Sequence, residues 1–481
     1  MSFYPPASPC TAFEAALAPF LNDDGLPFAN VLPAEQVERA CQLENVQFGN
    51  TSRSVYNPAL TLWAFLSQVL DRDKSCRAAA FRVLVLVLCL DRNPCSTDTG
   101  EYCRARAKLT APLLRRLTYE VGDQLEEAVP EDWLWKGRHV YLADGTTATL
   151  PDTAANQAAY PQPGTQKPGL GFPMIRMVVL LSLATAALCG MAFGPYEGKE
   201  TGETALLRQF IHRLRRGSVL LADRFYCSYF MVALLREQGV DVVFRLHQCR
   251  DSDFSRGRCF GPDDHLVVWE RPECPEWMDA ETYARMPGTL TIREVRKQVG
   301  TPGSRVEELV VMTTLVDPEE YSAEEVTDLF HERWHVELDI RSIKVVPGME
   351  TLRCKTPAMV EKELWATFLG YNLVRKVSCQ AALLAALTPR QISFTGSLQV
   401  VRAGWESMTY GRASCRRVLG GALLVALGKE EVGNRPDRCE PRAVKKRPKK
   451  QALLMVPRAE ARAALLRAAE ARVALLRGGG R

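Results

Sequence analysis

At 481 residues the chain has room for roughly three domains of about 150 residues each. Its 47% apolar content suits a folded chain, and a net charge of only +5 does not by itself announce a nucleic-acid binder. Fifteen cysteines, an odd count with no C-x-x-C pair and no secretory signal ahead of them, exclude a disulfide framework and a zinc cage and predict reduced thiols in a cytoplasm.

Residues 1–50 read as irregular and rich in Pro and Asn. Helical periodicity begins at Pro58 with "ALTLWAFLSQVL" and continues in "KSCRAAAFRVLVLVLCL". In "STDTGEYCRARAKL", Ser96 is the expected N-cap, and Arg104, Arg106 and Lys108 gather after it. Two helices, a short turn and a basic third helix outline a helix-turn-helix DNA reader. The plainer alternative is a helical bundle whose last helix is basic. The apolar run "FRVLVLVLCL" is too short to span a membrane. The longer "MIRMVVLLSLATAALCGMAFG" carries Arg176 and splits at Gly190, so no transmembrane helix is expected.

After "EDWLWKG" the pattern changes to strands: "RHVYLAD", "MIRMVVLLSLA" and "AALCGMAFG". Helix "GETALLRQFIHRLRRG", strand "SVLLAD", helix "SYFMVALLREQG" and strand "VDVVFRL" follow. This β-β-β-α-β-α-β order is that of a ribonuclease-H-like core within an α/β fold. Two of its strands run from apolar residues straight into a carboxylate, Asp144 and Asp223. A buried carboxylate must be paired, solvated or metal-bound, and strand ends are where open α/β sheets hold their ligands.

Between Leu246 and Val310 charges, Pro and Gly surround short strand signals, "HLVVWE" and "TLTIREVRK", which read as an inserted β-rich module. Strand "LVVMTTLVD" comes next. "SAEEVTDLFHERWHVELDIRSIK" then reads as one long helix opened by a capping box from Ser322 to Glu325. A further helix starts with Pro357 at its first position. The stretch from Val401 to Arg481 holds nineteen Lys or Arg against seven Asp or Glu, a basic tail on a mildly acidic body. Such a tail suits an anionic partner, or else is a solvated helical face. It contains "KKRPKK" and a duplication, "AEARAALLRA" and "AEARVALLRG", that predicts a terminal helix.

On the long helix Phe330, Arg333, Glu337 and Lys344 stand at offsets that share one face of a continuous helix. Taken alone, this could be ordinary salt bridging of Glu337 to Arg333 or Arg341. The spacing is similar, however, to the signature Tyr-x2-Arg-x3-Glu-x6-Lys of the DDE transposases of bacterial insertion sequences, the IS-four group. "FHERWHVELDIRSIK" matches all three gaps, with Phe330 in place of the tyrosine. "DGT" at Asp144 and "ADRFY" at Asp223 resemble that group's first two acid motifs. "YPQPGTQKPGLGFP", "GETALLRQ", "GMETLRCKTPAMVEKELWA" and "NRPDRCEPRAVKKRPK" also resemble stretches of it, so the likeness runs from about Tyr56 to Arg458.

The resemblance implies a helical DNA-binding region at 1–130, a ribonuclease-H-like core in two parts at 131–246 and 309–380, the β-rich insertion at 247–308, and a helical region with a basic tail at 381–481. It implies Asp144, Asp223 and Glu337 as ligands of two Mg²⁺ ions, for which Mn²⁺ substitutes. Two such ions about 3.5–4 Å apart activate one oxygen and stabilise another in phosphodiester chemistry. It further implies water attack at the element's ends, a 3′-hydroxyl able to form a hairpin with the opposite strand, and joining of the 3′ ends to target DNA. Arg333, Lys344 and the residue at 330 would face phosphates. A tryptophan of the insertion, Trp269 in preference to Trp277, would stack on a flipped base. The partners implied are element-end and target DNA and a second copy in a synaptic homodimer, in a bacterial cytoplasm at the nucleoid, with no membrane.

Other readings stand beside this one. "HERWH" fits the zinc-protease pattern H-E-x-x-H, although Arg333 and Trp334 fill its middle and no third ligand is evident. "ADGTT" is similar to aspartyl-phosphate phosphatases, but the D-x-D pairing fails at Leu142. A catalytically weakened, transposase-derived DNA-binding protein is the third, because Phe330 lacks the tyrosine hydroxyl.

Overall fold

The computed structural model describes residues 32–48, 55–89, 95–299, 307–345, 348–410, 413–432 and 454–478. The "KKRPKK" run and the first 31 residues lie outside these. The chain is a mixed α/β protein. Its amino-terminal part is helical: α1 (Ala34–Leu43), α2 (Pro58–Leu70), α3 (Cys76–Cys89), α4 (Thr99–Lys108) and α5 (Ala111–Glu127). The cap of α4 is Asp98, which accepts from Gly100, and not Ser96, whose hydroxyl instead accepts from Asp98 N. Both are Asx- and Ser-type caps, and the one nearer the first turn takes the role.

The strands are β1 (Val140–Thr149), β2 (Met174–Ser182), β3 (Leu188–Pro195), β4 (Val219–Ala222), β5 (Asp241–Arg245), β6 (Arg258–Gly261), β7 (Asp264–Glu270), β8 (Thr289–Val299) and β9 (Glu307–Thr313). They form one sheet in the order β3-β2-β1-β4-β5-β9-β8-β7-β6. β1, β2 and β3 are antiparallel neighbours, β1, β4 and β5 are parallel, and β5 through β6 pair antiparallel. The strands of the stretch read as an insertion thus continue the sheet instead of forming a separate one, because β9 is hydrogen-bonded to both β5 and β8.

Alternation along β1 sorts the core. Val140 and Leu142 belong to the larger cluster, with α5 and the helices after the sheet. Tyr141 and Ala143 belong to the other face, with Leu206 of α7 (Glu203–Arg208) and Phe230 of α8 (Tyr229–Glu237). The helix expected to run through "GETALLRQFIHRLRRG" ends at Arg208, and a separate short turn covers Ile211–Arg213.

After the sheet the predicted long helix is two: α10 (Ala323–His331) and α11 (Trp334–Val345), with α6 (Ala154–Ala159) and α9 (Ala280–Arg285) the short helices before them. At the break the amides of Glu332, Arg333, His335 and Val336 bond three residues back, at 3.0–3.1 Å. That is a tightened 3₁₀-type turn. The capping box of α10 forms as expected. Helix α12 (Pro357–Leu384), entered on its Pro, is buried along most of its length. Asn372 pins it in place: its Oδ1 accepts from Leu188 N at 2.8 Å, and its Nδ2 donates to Leu188 O and Thr118 O. Gly122 of α5 lets that helix approach β3, since an added Cβ would come within 2.5 Å of Leu188 O. Helices α13 (Phe394–Tyr410), α14 (Ala413–Leu427) and α15 (Arg458–Gly478) complete the chain, the last being the terminal helix expected from the duplication. Among the described residues no helix is long and apolar enough to cross a membrane.

Candidate active site

Asp144 stands in the middle of β1. β1 is paired with β2 along its length, but with β4 only from Val140 to Leu142. Among the described residues that edge has no strand partner beyond Leu142 until the isolated bridge of Thr149 to Thr351. Asp223 directly follows β4 and begins the short turn Arg224–Tyr226. Both aspartates therefore sit where the parallel part of the sheet ends.

Glu337 comes from the first turn of α11. On the other side of that helix Asp339 is buried between Arg375, at 2.9 Å, and Arg390, at 3.0 Å. Breaking such a buried pair is costly, so α11 is held in a fixed rotation and Glu337 is turned towards β1. Arg333, at the helix break, joins the two elements. Its guanidinium lies 3.2 Å from Glu337 Oε1 and 3.9 Å from Asp144 Oδ2.

Burial is the first cause that pushes the Asp144 carboxyl up, to about 6. The Gly145 N–H, at 2.8 Å, and Arg333 act in the opposite sense, and the like charges of Glu203 and Glu337 add to the rise. The buried phenol of Tyr226 is also held well above its ordinary value, by burial first and then by Glu203, Asp144 and Asp223. Among the described residues no three His, Cys, Asp or Glu side chains are gathered closely enough to grip a metal ion, and the Arg333 guanidinium lies between two of the acids. The donor set is nonetheless all carboxylate oxygen, the chemistry of Mg²⁺ or Mn²⁺. A carboxylate raised by burial and like charge is one that a cation would relieve, so the donor chemistry suits a divalent ion, although among the described residues the side chains are not gathered around one point.

The other expected site residues differ in burial and partners. Phe330 is 7% exposed and belongs to the main core, with Arg333 5.9 Å from its ring. The break at residues 332–333 separates its helix from that of Glu337. Trp269 is 6% exposed in the second core cluster, with Arg250 stacked 3.6 Å from its ring. It points inward on β7, so it is the unfavoured Trp277, 37% exposed, that offers a surface ring. Arg106 turns inward to Gln68 Oε1 at 2.8 Å and stacks on Phe65 and Tyr102, leaving Arg104 and Lys108 as the exposed cations of α4. Lys344 lies half-buried near the end of α11, and burial lowers its pKa. The zinc-protease pattern is undone by the same helix break: His331 bonds Thr327 O at 2.8 Å, and His335 bonds Glu332 at 3.0 Å.

Sequence reasoning missed Glu203 and Tyr226, whose hydroxyl donates to Glu203 Oε2 at 3.3 Å. Both lie inside segments that carried the resemblance, "GETALLRQ" and "ADRFY", and no spacing rule sets them apart.

The transposase DDE domain family matches residues 135–373, from ahead of Asp144 to beyond Glu337. The transposase InsG for insertion sequence element IS4 of Escherichia coli K12 is 27% identical over 395 residues, covering 81% of this chain and 85% of that protein. The transposase for insertion sequence element IS421 of Escherichia coli is 32% identical over 65 residues, 14% of this chain and 18% of that protein. Among solved structures, a piggyBac transposase synaptic complex with hairpin DNA aligns at 11% identity and a TM-score of 0.41, over 90% of this chain and 88% of that one, too distant a likeness to define the fold. The chain belongs to the DDE transposases of insertion sequences, in the IS4 family, and is an enzyme of that class.

Proposed function

We propose that this transposase binds the ends of its own insertion sequence, cleaves the DNA there and joins the 3′ ends to target DNA, with Asp144, Asp223 and Glu337 as its catalytic acids. The observation that carries this reading is the sharing of one guanidinium, Arg333, by Asp144 and Glu337, residues 193 apart in sequence. The strand order β3-β2-β1-β4-β5, with its antiparallel and then parallel pairing, supports a ribonuclease-H-like core with acids on its first strand, after its fourth strand and on a later helix.

The three acids would hold the divalent cations, two Mg²⁺ ions in this reading, with Mn²⁺ able to replace them. Bound there, the ions supply the charge that activates the attacking oxygen and stabilises the leaving one. The protein's own residues do the rest. α11, locked by Asp339, keeps Glu337 aimed at β1. Arg333, paired to carboxylates without DNA, is the group that turns to a phosphate when DNA enters, and Lys344 adds a second cation along α11. Water attacks at each element end and frees a 3′-hydroxyl. That hydroxyl then attacks a target phosphodiester, one P–O bond forming as another breaks. Arg104 and Lys108 on α4 suit backbone phosphates, within an amino-terminal DNA-binding region, and synapsis of two ends requires a homodimer.

The test is cleavage and strand transfer on duplexes that carry the element's terminal repeats, in Mg²⁺ and in Mn²⁺. Asp144→Asn, Asp223→Asn and Glu337→Gln should each abolish both reactions and keep end binding. A variant that cleaves at the wild-type rate removes that residue from the set. A wild-type chain that binds ends tightly and cleaves in neither metal would favour the weakened DNA-binding reading.

A further inference from the structure

Asp144 and Asp223 each stand two residues beyond a paired position, Leu142 against Leu221, on the neighbouring parallel strands β1 and β4. The chain then turns through Arg224–Tyr226. The three residues of this turn differ in what they meet. Tyr226 is fully buried and donates to Glu203 Oε2 at 3.3 Å. Phe225 is 64% exposed, so an apolar ring faces solvent two residues from a proposed catalytic acid.

Arg224 donates Nη1 to Gln248 Oε1 at 3.1 Å, on the loop after β5. Among the described residues its other edge, Nε and Nη2, has no hydrogen-bond partner, and no carboxylate lies within ion-pair distance of it. Arg333 differs, since its guanidinium is taken up by Asp144 and Glu337. A guanidinium edge with two parallel N–H groups matches two oxygens of one phosphate. The buried, unpaired Nε–H is costly until an acceptor meets it. Beside this cation stands the ring. Cutting a duplex exposes the flat face of its last base pair, and an aromatic side chain can cover that face whatever the base.

We propose that Arg224 and Phe225 grip the cut DNA end, Arg224 by a backbone phosphate and Phe225 by stacking on the terminal base pair that cleavage exposes. Gln248 is then a positioning residue that holds the guanidinium fork. The grip keeps the freed 3′ end beside the acids until it is joined to target DNA. This rests on the reading of Asp223 as a catalytic acid that acts on element ends.

The experiment compares binding of the full chain to two duplexes that carry the terminal repeat, one pre-cut at the element end and one running on into flanking DNA. Divalent metal is left out, so that neither is cleaved. Phe225→Ala should weaken binding to the pre-cut end about tenfold and leave binding to the uncut duplex unchanged. Phe225→Trp should restore the preference. Arg224→Gln should reduce the salt dependence of pre-cut binding by about one phosphate contact, and Arg224→Lys should retain it. Under irradiation, 5-iodouracil at the terminal position should crosslink to Phe225. Thermal unfolding of each variant checks the fold, and if Arg224→Gln prevents folding the exposed Phe225 still decides. An equal loss on both duplexes in Phe225→Ala, a crosslink at another residue, or an unchanged salt slope in Arg224→Gln overturns the proposal. Cleavage of the uncut duplex at the wild-type rate by Asp223→Asn in Mg²⁺ overturns the reading on which it rests.

Discussion

Arg333, at the break between α10 and α11, reaches Asp144 in the middle of β1 across 3.9 Å. The same guanidinium holds Glu337 at 3.2 Å. A cation made of protein thus sits between two acids proposed to bind metal, and the two kinds of cation compete. Arg333→Met should therefore bind Mn²⁺ severalfold more tightly in the absence of DNA. It should also cleave element ends about a hundredfold more slowly, because a phosphate-directed donor is gone. Weaker Mn²⁺ binding in that variant would mean that Arg333 organises the acids instead of competing for them.

The raised Asp144 carboxyl makes stability depend on pH. Its value of about 6 lies above the ordinary 3.8, so between these limits the folded chain binds more protons than the unfolded one. Stability then falls as pH rises through that window. Without divalent metal, Asp144→Asn should melt at nearly the wild-type temperature near pH 4 and a few degrees above it near pH 7. Melting curves across this range, in chelator, check it. Added Mg²⁺ should raise the midpoint of the wild type at pH 7 and leave that of Asp144→Asn unmoved.

Phe330 lies in the core, where an added hydroxyl meets apolar neighbours. Phe330→Tyr should leave end cleavage no faster and lower the thermal midpoint, since an unsatisfied buried hydroxyl costs about 1–3 kcal/mol. Faster cleavage at equal stability would return position 330 to the DNA face.

The two tryptophans of the insertion separate by burial. Trp269→Ala should cost about 3–5 kcal/mol of stability, as truncation of a buried aromatic does. Trp277→Ala should change stability by no more than about 1 kcal/mol, although its ring lies 3.8 Å from Arg208 and edge-on to Phe230. Denaturant melts of the two variants decide between them.

Lys344→Ala should leave the fold intact and reduce the salt dependence of end binding by about one phosphate contact. An unchanged salt slope would remove Lys344 from the interface.

Much of the architecture was legible because its signals are local. Apolar runs ending in Asp144 and Asp223, the Ser322 cap and Pro357 each mark an element boundary through the backbone chemistry of a few residues. What escaped depended on contacts distant in sequence. Nothing near Arg333 announces the broken helix, since "HERWH" has no Gly or Pro. The break appears together with a guanidinium drawn to Asp144, far back in the chain. The burial of Trp269 was not legible, because alternation along β7 does not say which face is covered. Glu203 was passed over because a carboxylate at the start of a helix is ordinary, and only its fit against Gly145 distinguishes it.

The continuity of the sheet has a mechanical consequence. β9 is laced to β5 on one side and β8 on the other, so the outer strands have no joint about which to swing as a separate body. A load applied to the outer strands passes along the backbone ladder to β5, then β4, and so to the carboxylate that follows it. DNA that pulls on the outer strands would be felt at Asp223 as a twist of a ribbon, not as the opening of a door.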